Sequence, residues 1–217
     1  MLFIIPMFKG MYTELGGELP APTKLLISIS NAFRSLWFVW IIGGVGGTFA
    51  FRRWKRTEAG RRGWDAFTLR VPIFGVLARK NAIARVGRTF AALTRAGVPI
   101  LEALEIVGES AGNEVVNDAF VHAQSEVKRG LGIAQPLERH DVIPAMMVQM
   151  IAVGEETGQL DAMLDKIADF YEREVEATVD QLTSLIEPLL VAVMGATVGG
   201  MVIALYLPMF NIIKLIK

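Results

Sequence analysis

The chain has 217 residues, of which 53% are hydrophobic and 20% charged, and its mean hydropathy is +0.43. Twenty-two Lys and Arg against 22 Asp and Glu leave a formal charge of zero, so no global basic field points to nucleic acid as a partner. Cysteine is absent, which excludes disulfides and thiolate metal sites but sets no compartment.

The charge is segregated along the chain. Residues 1–8 are apolar but lack a basic leader and a small-residue cleavage site, and they are too short to span a bilayer. Residues 36–51 hold no ionisable side chain, and reaching back to Ser30 gives about 20 residues, enough as a helix for a hydrocarbon core of roughly 30 Å. We therefore predict a transmembrane helix over 30–51. The uncharged run 189–213 predicts a second, within a segment 183–213, with Pro208 bending or ending it near its far end. Arg52, Arg53, Lys55, Arg56, Arg61 and Arg62 follow the first span directly, and such an excess marks the cytoplasmic side. Residues 52–182 are then expected in the cytoplasm, with the connector 1–29 and the tail 214–217 on the outer face.

Within 52–182 the signals are helical, and the block reads as an antiparallel bundle of about six helices. Residues 79–96 place Ile83, Val86, Phe90 and Leu93 at helical spacing. Gly97 then supplies a C-terminal stop, and Pro99 opens the next helix, 99–110, with Leu101, Leu104 and Val107 inward. Asn113 is the expected N-cap of a helix over 114–129. A less regular piece ends at Pro144. The helix 145–156 that follows carries Met146, Met147, Met150 and Val153, read as core packing in preference to an adaptable partner contact. A last helix starts near Gln159 and runs without a clear stop into the second span.

A search for catalytic chemistry finds no phosphate-cradling loop. The glycines of residues 43–47 lie in an apolar span, so Gly43 with Gly47, like Gly195 with Gly199, reads as a close-packing pair between spans or protomers. His122 and His140 have no metal-binding spacing and read as surface or capping residues. Glu187, beside Pro188, stands at the edge of an apolar run, where an acid is placed at the interface or given a coupling role. An intramembrane hydrolase or a small transporter using Glu187 is the competing class. The first needs a catalytic partner at the same depth and the second a polar midplane, and neither run offers a second charge. Gly154-Glu155-Glu156-Thr157-Gly158 puts two carboxylates between glycines at a helix junction, where they can cap a helix, bind a cation or face a basic partner. The turn-and-cap reading is preferred.

Several segments occur in a telling order: Leu69-Arg70-Val71-Pro72-Ile73-Phe74-Gly75, Ala84-Arg85 with Arg88-Thr89, Ala96-Gly97-Val98-Pro99-Ile100, Gly112-Asn113, the Gly-Glu-Glu-Thr-Gly segment and Glu187-Pro188. This set resembles the F-domain family of inner-membrane platform proteins of type IV pilus and type II secretion machines. The resemblance implies a non-enzymatic scaffold without cofactor or metal. It implies that a hexameric secretion ATPase in the cytoplasm, pilin or pseudopilin subunits and other inner-membrane assembly proteins are its partners, in a homo-oligomer held by the lipid bilayer. It also implies that the chain corresponds to the C-terminal half of a larger platform, with residues 1–29 the end of a truncated preceding membrane segment plus a short periplasmic connector, and with Gly97, Pro99, Asn113, Gly154, Glu155, Glu156, Thr157, Gly158, Glu187 and Pro188 as structural or partner-contact positions.

Overall fold

The computed structural model describes Ser28, Ala32 and residues 35–215. Most of the expected connector (1–29), residues 30, 31, 33 and 34 of the first expected span, and residues 216–217 of the expected tail lie outside the described residues. Among the described residues every regular element is a helix. The chain divides into two compact units, Arg52–Thr183 and the remainder.

Helix α1 (Trp37–Lys55) ends in Arg52, Arg53 and Lys55, cations placed where the helix dipole favours them. Its apolar side chains face outward, with Ile42 67% and Phe49 70% exposed. The C-terminal part of α8 (Leu160–Leu215) behaves likewise, with Val191 68% exposed. Apolar surface of this extent belongs against lipid or another protein. Residues Leu160–Gly200 of α8 are long and apolar enough to cross a membrane. Pro208 does not end the helix as one of its two expected effects required: α8 runs past it to Leu215. Loss of a single N–H in a long helix is tolerated where the surrounding ladder stays paired.

In the other unit α2 (Glu58–Arg70) comes first, an element not anticipated from the pattern. It starts at Thr57, whose hydroxyl accepts from the Gly60 N–H at 3.1 Å. α3 (Phe74–Arg95) begins five residues before the expected start at residue 79. α4 (Ile100–Ser110), α5 (Glu114–Val127), the short α6 (Ala134–Glu138) and α7 (Ala145–Thr157) follow, and then the first turns of α8. One core joins α3 through α8. Ile83, Val86 and Phe90 of α3 are fully buried, as are Leu104 and Val107 of α4, Phe120 of α5, Leu137 of α6, Met147 and Ile151 of α7, and Leu164 and Ile167 of α8. Each such side chain contributes about 1.5–3 kcal/mol relative to exposure. The expected core was too generous on α7. Met146 and Val153 are exposed, because the face through Met147, Ile151 and Gly154 is the one turned inward.

Candidate functional site

Most of the positions singled out by sequence are turn and cap devices. Gly97 takes φ 76°, which L side chains rarely adopt, and the Val98 N–H reaches back to the Leu93 carbonyl at 3.0 Å, closing α3. Pro99 sits at the N-cap of α4, one residue before the helix, and its carbonyl accepts from the Ala103 N–H at 2.9 Å. Asn113 caps α5: its side-chain oxygen accepts from Val115 N–H at 3.0 Å and Val116 N–H at 3.4 Å. A third free N–H of that helix, on Glu114, goes to the Asp65 carboxylate of α2 at 2.9 Å, while Arg61 pairs with Glu114 at 2.9 Å. Asp65 was not singled out by sequence, and no local signal could have found it, since its partner lies 49 residues away.

The Gly-Glu-Glu-Thr-Gly segment ends α7. Gly158 is left-handed at φ 69°, and the Gln159 N–H donates to the Gly154 carbonyl at 3.0 Å, turning the chain into α8. Gly154 is buried where a Cβ would stand 2.9 Å from Leu160 Cα, so any side chain would push α7 from α8. Thr157 donates its hydroxyl to the Val153 carbonyl at 2.7 Å. The two carboxylates part company. Glu155 accepts from the Ile133 N–H at 2.6 Å and the Ala134 N–H at 3.1 Å, capping α6, which has no capping side chain of its own. Glu156 is exposed.

His122 and His140 meet across 18 residues, with Nε2 of His140 3.1 Å from Nδ1 of His122 and the rings edge to face. One ring must donate and the other accept. Burial holds His140 below the usual imidazole range, the charge of His122 adds to this, and Asp118 opposes it.

The densest ionic cluster joins α3 to α8. Arg88 donates to Glu172 (2.7 and 3.1 Å), Asp169 (2.6 Å) and Asp165 (3.3 Å). Arg95 also pairs with Asp165, and Lys80 reaches Glu174 at 2.8 Å and Thr178 at 3.1 Å. Hydrogen bonds to Glu172 and then Asp169 hold the Arg88 guanidinium above its ordinary range. The spacing of 80, 88 and 95 on one helix and 165, 169 and 172 on the other is a same-face pattern that sequence reading could have found. Glu187 is exposed on α8 with Pro188 beside it inside the helix. A Cβ at Gly43, Gly47, Gly195 or Gly199 would meet no described atom within 4 Å. A cleft of about 340 Å³ between α2, α4 and α5 is lined by Arg61, Asp65, Glu109, Asn113 and Asn117.

Glu155→Ala should therefore lower the unfolding free energy by about 1–2 kcal/mol in denaturant titrations followed by helical circular dichroism, whereas Glu156→Ala should stay within about 0.5 kcal/mol. Equal effects would remove the cap. Burial makes the folded His140 imidazole harder to protonate than the unfolded one, which titrates near 6.5. Its stabilising contribution is present above that pH and is lost as pH falls below it, because the unfolded state then binds more protons. Thermal melts should drop more between pH 7.5 and 5.5 for the parent chain than for His140→Gln, and an unchanged slope would contradict the assignment.

The family model described as type II secretion system (T2SS), protein F matches residues 88–208, more than half of the chain. The chain is similar to the type IV pilus assembly protein PilC of Myxococcus xanthus, 41% identical over 213 residues that cover 98% of this chain and 51% of the relative. It is 44% identical over 211 residues to the PilC of Thermus thermophilus, covering 97% and 52%. To the type II secretion system protein F of Pseudomonas aeruginosa it is 35% identical over 214 residues, covering 99% and 53%. The chain spans about half the length of these curated relatives. On the family match over residues 88–208, the chain belongs to the type II secretion system protein F family.

Proposed function

We propose that this chain is part of a non-enzymatic inner-membrane platform for type IV pilus assembly or type II secretion. In this reading α1 and the C-terminal part of α8 are two transmembrane helices and the helical unit Arg52–Thr183 lies in the cytoplasm as a bundle. There it meets a hexameric secretion ATPase, and the assembly helps draw pilin or pseudopilin subunits out of the bilayer.

The observation that carries this is α8 itself: one helix begins among the buried residues Leu164 and Ile167 and continues without interruption into the exposed apolar run. A movement imposed on the charged unit would pass along such an element with little loss. The open faces at Gly43, Gly47, Gly195 and Gly199 favour packing against another protomer or another membrane partner. Glu156, exposed at a helix end whose neighbour Glu155 is occupied as a cap, is the carboxylate of the segment left for a basic partner surface. Glu187, exposed and beside Pro188, fits an interface acid at the membrane boundary.

The absence of cysteine makes the test direct. Single replacements Glu58→Cys and Glu156→Cys, in the full-length protein in cells, should react with a membrane-impermeant maleimide only after permeabilisation, and Glu14→Cys should react in intact cells. A bifunctional cross-linker at Glu156→Cys should give an adduct that disappears in cells lacking the ATPase. Labelling of Glu156→Cys in intact cells would overturn the sidedness, and an adduct indifferent to the ATPase would overturn the coupling.

A further inference from the structure

The corner between α2 and α3 exposes apolar surface that the helical unit does not use. Phe67, Ile73, Phe74 and Val76 are 58%, 53%, 62% and 53% exposed, so more than half of each large side chain faces out within ten residues of chain. The backbone there is strained to make it so. Ile73 has φ 71° and ψ −61°, the one non-glycine positive φ among the described residues, and the Phe74 N–H donates to the Pro72 carbonyl at 2.9 Å in a γ-turn. A β-branched residue in such a conformation costs on the order of 1–3 kcal/mol. The large side chains it presents, Ile73, Phe74 and Val76, point to solvent.

Charge decides what covers this corner. Residues 52–80 hold nine Lys and Arg against two acids, a net +7, while residues 81–183 hold eight against seventeen, a net −9. The basic stretch leads physically to the corner: Lys55 Nζ lies 5.6 Å over the Trp64 ring, whose centroid is 6.0 Å from that of Phe67. Arg70, between Phe67 and Ile73 in sequence, is exposed and has no ion pair among the described residues. A second copy meeting this face with its own would bring like charges together. Seven of the seventeen acids with which a second copy could answer it are already in ion pairs, among them Glu114 and Asp118 with Arg61 and Arg62, and Asp165, Asp169 and Glu172 with Arg88. Anionic phospholipid satisfies both requirements, with headgroups for the cations and an acyl boundary for aromatic and aliphatic side chains.

We propose that the α2–α3 corner is a foot that rests on an anionic phospholipid surface, with Phe67, Ile73, Phe74 and Val76 at the headgroup–acyl boundary and Arg70 and Lys55 on the phosphates. The inference rests on the reading of the chain as membrane-held. It gives the strained turn a purpose, since that turn sets the apolar side chains outward where they can meet the surface. The acidic remainder of the unit is repelled by the same surface, which fixes which side the unit turns toward it.

The test uses the full chain in nanodiscs, with an environment-sensitive fluorophore on Phe74→Cys or, in a second preparation, on Val76→Cys, and nitroxide-headgroup lipid as quencher. Quenching should be several-fold stronger in phosphatidylcholine containing phosphatidylglycerol than in phosphatidylcholine alone, and high salt should weaken it. Arg70→Gln should reduce the docked-to-free ratio about fivefold, the equivalent of about 1 kcal/mol per basic side chain near such a surface. A label on Val193→Cys, in the apolar run of α8, serves as the control for membrane residence and should be shielded from aqueous iodide in both lipids. Weak quenching at both corner positions with Val193 shielded would overturn the foot alone. An aqueous label at Val193 would overturn the membrane reading and the foot with it. Efficient Phe74→Cys disulfide formation between two copies would overturn the foot in favour of a protein interface.

Discussion

Helix α8 lies against α3 because position 87 carries no side chain. A Cβ there would stand 3.2 Å from the backbone nitrogen of Ala168 and 3.4 Å from its Cα, so any larger residue would lever the two helices apart. The close approach lets Ile83 and Phe90 share a core with Leu164 and Ile167, and it brings Arg88 within reach of three carboxylates one turn apart on α8. Lys80 meets Glu174 and Thr178 while Arg95 meets Asp165, so the contacts descend α8 as they ascend α3 and the two helices run antiparallel. Because the pairs are partly exposed, each is worth only about 0.2–1 kcal/mol. Their larger effect is on rotational register: turning α8 about its axis by half a turn would take Asp165, Asp169 and Glu172 away from Arg88 together and leave them repelling one another.

Fixing that register matters because the same helix continues into the apolar stretch. Its threonines are satisfied within the helix: Thr178, Thr183 and Thr197 donate to the carbonyls four residues earlier at 2.6, 2.9 and 2.7 Å. A helix that closes its own polar groups needs no water and is suited to lipid. Three junctions of the charged unit follow a common rule, in which a side chain from one helix supplies the partner that another helix end lacks. Asp65 does this for α5, Glu155 for α6, and Arg79 holds the carbonyls of Asp141 and Val142 ahead of α7. Helix ends are thereby tied to distant helices, so disturbance at one terminus is felt across the unit.

Local chemistry was readable in advance, and distant choice was not. The turn at Gly97 and the cap that Asn113 gives to Val115 and Val116 act within a few residues, so their positions followed from the order of residues alone. Glu155 had several possible partners, and only the fold brings the Ile133 and Ala134 N–H groups to it. The meeting of His122 with His140 had no signal in their separation. Helix α2 was missed because Gly60, Gly63 and five charged residues make it look like a loop, whereas its helicity rests on the Thr57 cap and on Asp65 and Arg61 holding α5. Of the two effects expected of Pro208, ending the helix is the one that does not occur, since α8 continues to Leu215.

Helix α8 must be one stiff element anchored at its start, and hydrogen exchange on the full chain in bilayers tests this most directly. Amides from Leu164 through Thr183 should exchange as slowly as those of Ile83–Phe90, and Gly87→Leu should speed exchange at the start of α8 while leaving the α4–α5 pair protected. Fast exchange between Phe170 and Thr183 in the unaltered chain would mean a break where a continuous helix is required, and would contradict it.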